Sequence, residues 1–473
     1  MLDYSKMMQI STPEQDTIAA IATPIGEASI AVIRISGKSS LQIVARLFKR
    51  SNEASVFEMK SHKLYRGKVV DPKSERILDS VLTVIMKSPH SYTGEDVAEI
   101  HCHGGYLLSK KILELLFQHG ARPASPGEFT FRAFLNGKMD LAQAEAVADV
   151  INAQTEESLK QAELQLEGIL SQKIEEFKEI VLDTLAEVEA QVDFPEEDID
   201  PILREAITKS TEELMEQIDR LLATYEEGRI IKQGVYTAIL GKPNVGKSSL
   251  LNQLLMKERS IVSHLPGTTR DFIEETLDIK GIPLRLVDTA GLRATADEVE
   301  KAGVDLARKK AKEAELIIAV VDGSSNLDED DFEVLRSSES RNSILAINKS
   351  DLHQNVSEED ISDFFQRERV VNTSAKLGSG IEELKSKIHE VLLGKDSLIE
   401  GAEVVLTELR HKLALQKTKD SLNSLIKAID NRESPEFIAV DLRLALDSLG
   451  EITGETTTED VLGRIFSKFC IGK

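Results

Sequence analysis

The chain has little of what marks several large classes of protein. Its 473 residues hold only two cysteines, Cys102 and Cys470, with no CxxC pair. That excludes a disulfide framework and a cysteine zinc site, and it fits a reducing compartment. The most apolar stretch, Leu316 to Val321, is far shorter than the roughly 20 residues of a membrane span. The N-terminus, MLDYSKMMQISTPEQ, has no basic region leading into an apolar one and does not read as a secretory signal. These absences point to the cytoplasm and to no membrane. Acidic residues also outnumber basic ones, 81 to 58. The net charge of −23 speaks against nucleic acid, because phosphate contacts need Lys and Arg. No GxGxxG follows a strand and opens a helix, and LGSGIEEL lacks the third Gly, so a flavin or nicotinamide would have to arrive on another polypeptide.

The charge is unevenly spread. Residues 139 to 227 hold 25 Asp/Glu against 6 Lys/Arg, which leaves the rest of the chain close to neutral. A surface that meets RNA should therefore lie away from that segment. The length suggests about three domains. Short β-branched runs (IAVIRISG, RGKVV, DSVLTVIM, AEIHCHGG) and the helical YLLSKKILELLFQHG make residues 1–137 an α+β domain. From Lys138 to 233 the apolar residues fall at three and four spacing, which predicts long amphipathic helices broken by DFPEEDIDP. Residues 234–396 alternate apolar strands (VYTAIL, PLRLVD, ELIIAVVD, SILAIN, RVVNTSA) with helices, the pattern of a doubly wound, mainly parallel sheet. Residues 397–473 are helical again. Neither helical stretch has an obvious core of its own, so the two are expected to form one all-α domain with the α/β domain inserted in it.

Within the α/β segment, GKPNVGKS (241–248) has the context of a phosphate-binding loop. Gly246 lets the backbone N–H groups around Val245 close on phosphates, Lys247 reaches the β- and γ-phosphates, and Ser248, followed by Ser249, can ligate Mg²⁺. Four further motifs follow in the order a GTPase uses: GTTRD (267–271), DTAG (Asp288, Thr289, Ala290, Gly291), NKSD (Asn348, Lys349, Asp351) and SAK (Ser374, Ala375, Lys376). Asp351 can accept hydrogen bonds from N1–H and the 2-amino group of guanine, which adenine does not offer. GTP is therefore the expected substrate. The residue after DTAG, where many GTPases carry a water-orienting Gln, is Leu292, which cannot serve. A replacement charge and a replacement water ligand are needed. Asn244 offers an oxygen to a monovalent cation, and the loop Ser263, His264, Leu265, Pro266, Gly267, Thr268, Thr269 can offer carbonyls, so that a potassium ion stands in for an arginine finger. Asn also simply suits turns.

These motifs, with DTAGLR, DEVEKAG, SYTGEDVAEIHCHGG, PGEFTFRAFLNGKMDLAQAEAVADVI and the ending FCIGK, resemble the bacterial tRNA-modification GTPase family MnmE (TrmE) from about residue 16 to Lys473. The resemblance implies potassium at the interface of two GTPase domains, held by Asn244, Ser263, Leu265 and Thr268, with magnesium on Ser248 and Thr269. It implies that Glu300 places the attacking water, where the residues alone allow a solvated helix-start carboxylate. It further implies a homodimer, and an N-terminal domain that binds a formyl- or methylene-tetrahydrofolate through Arg34, Glu99, Lys138 and Lys473. An FAD-binding partner, MnmG (GidA), would join in a heterotetramer to place an aminomethyl or carboxymethylaminomethyl group on the wobble uridine of certain tRNAs.

Cys470 has two readings. As a thiolate near Lys468 and Lys473 it could add to a uracil ring, and as a free cysteine it is a small hydrophobe. His101 and His103 share a strand face but meet no second ligand cluster in sequence, so they read as structural. Two other functions compete with this one: a ribosome-assembly GTPase switch, for which no basic RNA-binding module is present, and a dynamin-like membrane-remodelling GTPase, for which no basic amphipathic segment is present.

Overall fold

The period-two alternation of IAVIRIS turns Ala31, Ile33 and Ile35 into a core and leaves Val32 and Arg34 on the opposite face of a strand. The computed structural model describes residues 16–24, 26–50, 54–192, 201–257, 275–286, 314–339, 342–394, 397–398, 402 and 404–473. The chain divides into two compact units, and among the described residues one holds the chain up to Ala148 together with Thr453–Lys473, while the other holds the span 149–452.

In the first unit, strands β1 (Ile18–Ile21), β2 (Ile30–Ser36), β3 (Phe48–Arg50), β4 (Tyr65–Val70), β5 (Ile77–Met86), β6 (Val97–His103) and β7 (Arg122–Pro123) form one sheet in the order β3-β4-β5-β6-β2-β1-β7. All neighbours are antiparallel except β1 and β7. Helices Ser40–Leu47 and Tyr106–Gln118 cover one face, where Ile43, Val44, Ile112 and Leu116 pack against Ile33, Ile35 and Ile100. The first of these helices has eight residues, too few for periodicity to mark it in the sequence.

The C-terminal tail belongs to this unit. The rings of Phe131 and Phe466 meet edge-on at 5.0 Å, and Phe466 lies 5.5 Å from Phe469. At the start of helix Glu128–Leu135, Gly127 N donates to Cys470 O (3.5 Å) and Phe129 N to Lys473 O (3.2 Å). A helix N-terminus has N–H groups without internal partners, and here the tail supplies them. Gly127 sits at φ 68°, and a Cβ there would come within 2.7 Å of Phe466 O.

The second unit contains the long amphipathic helices and the α/β sheet. Helix Pro201–Ala223 packs on helix Leu409–Asp430, where Lys419 Nζ meets Asp219 at 2.5 Å and Arg204 donates to Ile429 O. The helices that flank the sheet in sequence therefore meet in space, as insertion of one domain in another requires. Lys232, half-buried, binds both Asp149 and Glu408, which ties three separate segments together.

Strands β8 (Val235–Leu240), β9 (Glu275–Ile279), β10 (Ile282–Leu286), β11 (Leu316–Asp322), β12 (Ser343–Asn348) and β13 (Val370–Asn372) lie in the order β13-β12-β11-β8-β10-β9. Each pairing is parallel except β9 with β10. Strand β9 adds an edge to the sheet beyond the apolar strands that the sequence marks. Its turn uses Lys280 (φ 52°) and Gly281 (φ 88°), the double positive φ of a type I′ hairpin without the Asn-Gly pair that usually announces it. The multidomain expectation of an α+β domain, a helical domain and a doubly wound α/β domain holds. Among the described residues no helix is long and apolar enough to cross a membrane.

Candidate functional site

The phosphate loop turns from the end of β8 into helix Lys247–Lys257. Asn244 takes a left-handed conformation (φ 65°), which Asn tolerates better than most residues. Gly246 (φ 102°) is required twice over, by its backbone and because a Cβ there would stand 2.2 Å from Asn348 Nδ2. Lys247 Nζ donates to the carbonyls of Gly241 (2.6 Å) and Lys242 (2.8 Å), and burial pulls its pKa below the usual lysine value. Ser248 and Ser249 stand in the first turn of the helix, where free N–H groups and the helix dipole favour an anion.

The NKSD and SAK motifs meet the phosphate loop through one side chain. Asn348, at the end of β12 and 2% exposed, donates from Nδ2 to Val245 O (2.8 Å) and accepts at Oδ1 from Ala375 N (3.0 Å). Its amide thus joins three loops. Lys349 (φ 65°) pairs with Asp322 at 2.5 Å. Burial would raise the Asp322 pKa, but the bonds from Lys349 and Ser324 outweigh it and hold the carboxylate ionised. Asp351 is exposed, and one of its oxygens accepts from Ser374 Oγ at 2.6 Å. That bond, with the charges of Lys376 and Lys349 behind it, lowers the Asp351 pKa. An ionised, oriented carboxylate of this kind can receive the two donors of a guanine edge. Asp322 escaped the sequence reading because only the fold brings the end of β11 beside Lys349.

The residues expected around the γ-phosphate and the ion, Ser263 to Thr269, Asp288 to Gly291 and Glu300, lie outside the described residues.

At the other candidate site, β2 and β6 place Arg34 directly opposite Glu99. Arg34 Nε donates to Glu99 Oε1 at 2.8 Å and its NH1 lies 3.5 Å from Gly472 O. The guanidinium lies 5.5 Å from the Tyr92 ring and 5.7 Å from the Phe129 ring. A hydrogen bond from His101, together with Arg34, holds the Glu99 carboxyl below its ordinary pKa despite burial. Lys473 is lowered, first by burial and then by the positive charge of Arg34, so the terminal residue shares this neighbourhood with Arg34, Glu99 and Cys470. Lys138 donates to Pro89 O at 3.1 Å, in the loop that leads to Tyr92. Cys470 is exposed. His103 bonds Asp79 at 2.7 Å. Tyr92 and Phe129 carried no signal of their own, since their roles arise from distant pairing.

The comparisons agree along nearly the whole chain. Residues 17–138 match the GTP-binding protein TrmE N-terminus, and residues 141–470 match the MnmE helical domain. The tRNA modification GTPase MnmE of Clostridioides difficile (strain 630) is 47% identical, over 97% of this chain and 99% of its own. That of Thermoanaerobacter pseudethanolicus is 46% identical over the same shares. Among solved structures, the G domain of the T. maritima FeoB iron transporter is 30% identical over 33% of this chain and 98% of its own, at a TM-score of 0.24, too low to bear on architecture. Matched by both family models and by relatives of this identity along its length, the chain belongs to the MnmE (TrmE) family of tRNA modification GTPases.

Proposed function

We propose that this tRNA modification GTPase hydrolyses GTP with magnesium and potassium and couples hydrolysis to one-carbon chemistry on a tRNA wobble uridine. The observation that carries the reading is the Asn348 junction, which holds the phosphate loop and the guanine-reading loop in one register. Around it, Asp351 reads the base, Lys247 meets the β- and γ-phosphates, and the N–H groups opening helix Lys247–Lys257 surround them. Asn244, kept in a left-handed turn beside the phosphates, fits an oxygen donor to potassium, and Ser248 fits a ligand to magnesium. Bound there, the two cations supply positive charge to the oxygens of the transferring phosphoryl group. Ser263, Leu265, Thr268 and Thr269 would complete these shells, and Glu300 would hold the attacking water in place of the absent Gln.

The Arg34, Glu99 and Lys473 group fits a reduced folate, which carries carboxylates for the cations and ring donors for Glu99. When bound, the folate supplies the one-carbon unit. The chain acts as a homodimer with the FAD-binding MnmG as partner. The test is the GTP hydrolysis rate in KCl against NaCl at equal ionic strength, with Glu300→Ala alongside. A potassium stimulation approaching an arginine finger, roughly 10³-fold or more, should vanish in the variant. Equal rates in both salts would remove the roles given to Asn244 and Glu300. A ribosome-assembly switch would bind no folate.

A further inference from the structure

On an acidic chain, one part of the first unit is cationic. Residues 46–76 hold nine Lys/Arg against four Asp/Glu within a net charge of −23. The sheet register concentrates part of this excess. Lys49 on β3 stands directly opposite Lys68 on β4, and Arg66, two residues before Lys68, shares its face. All three are exposed, and Lys49 and Lys68 make no ion pair among the described residues. Like charges placed directly across a ladder cost stability, on the order of half a kcal/mol. Lysine on a sheet edge often blocks strand addition, which would account for Lys49. It does not account for β4, an interior strand between β3 and β5.

The face matters as much as the charge. Arg66 pairs with Leu82, Leu82 with His101, and His101 with Val32, so the cations lie on the sheet face that carries Glu99 and Arg34, opposite the covering helices. From β4 to β2 is three strand spacings, about 15 Å.

We propose that Lys49, Arg66 and Lys68 form a phosphate-binding strip that holds the tRNA backbone while a base reaches the Arg34–Glu99 site. This rests on the tRNA reading above. The strip supplies what the acidic helices cannot, and it lies within two or three nucleotides' reach of that site.

The experiment measures binding of the full-length chain to an unmodified tRNA transcript across a salt series, for wild type and for the triple variant K49Q/R66Q/K68Q. Loss of three phosphate contacts should flatten the log–log salt slope by about 2–3 and weaken binding at least tenfold at low salt. Potassium-stimulated GTP hydrolysis should be unchanged, which verifies folding. An unchanged slope with unchanged affinity overturns the strip. An unchanged slope with weakened self-association assigns the face to a second copy of the chain instead, and also overturns it. Wild type that binds no transcript at any salt sinks the tRNA reading itself, an outcome distinct from the other two.

Discussion

Replacing Asn348 by Ala would cut the link between the phosphate loop and the loops that carry NKSD and SAK. Two buried backbone groups lose their partners: Val245 O, now 2.8 Å from Nδ2, and Ala375 N, 3.0 Å from Oδ1. Each unsatisfied buried group costs about 1–3 kcal/mol, so the loops together lose about 2–6 kcal/mol of registration. If only 2 kcal/mol of this falls on binding, GTP affinity drops about 30-fold. Asn348→Asp is the sharper variant, because it keeps the shape but turns an oxygen toward Val245 O and buries a charge at 2% exposure. It should be worse than Ala. The assay is the Kd of a fluorescent GDP analogue, read beside the unfolding midpoint. A Kd within twofold of wild type in both variants would refute the junction, since the loops would then keep their register without the bond to Val245 O.

Further outcomes are expected. Gly246→Ala should abolish nucleotide binding with little unfolding, because the new Cβ strikes Asn348 Nδ2 at 2.2 Å and φ 102° strains it; a nucleotide titration checks this. Arg132→Met should destabilise the first unit by about 3–5 kcal/mol in urea unfolding, since the 1% exposed Arg132 pairs with Asp16, Glu95 and Glu128. Burial acts to raise the carboxyls of Asp16 and Glu128, yet the bonds from Arg122 and Arg132 leave both below their ordinary values. Their folded pKa values being depressed, their stabilisation is present above the unfolded values of 3.8 and 4.5 and is lost as pH falls through the folded ones. An acid titration of Arg132→Met should therefore show a shallower loss of stability below about pH 4.5 than wild type. Glu99→Gln should weaken binding of a formyl-tetrahydrofolate at least tenfold in calorimetry while leaving GTP hydrolysis intact.

Much of this protein could be read locally. GKPNVGKS, NKSD and SAK carry their chemistry in short windows, because a phosphate cradle and a guanine acceptor need particular residues at fixed spacing on one loop. The alternation of IAVIRIS against VAEIHCH placed Arg34 and Glu99 outward on their strands for the same reason. Tertiary structure alone decided what those residues touch. Whether Asn348 faces a base or a carbonyl depends on how close β12 brings it to a loop some hundred residues earlier. That the terminal Lys473 returns to the start of helix Glu128–Leu135, that Lys138 binds the Tyr92 loop, and that Lys49 faces Lys68 are matters of non-local pairing. Contacts between residues far apart in the chain leave no period or spacing in a sequence, and it is packing that selects them.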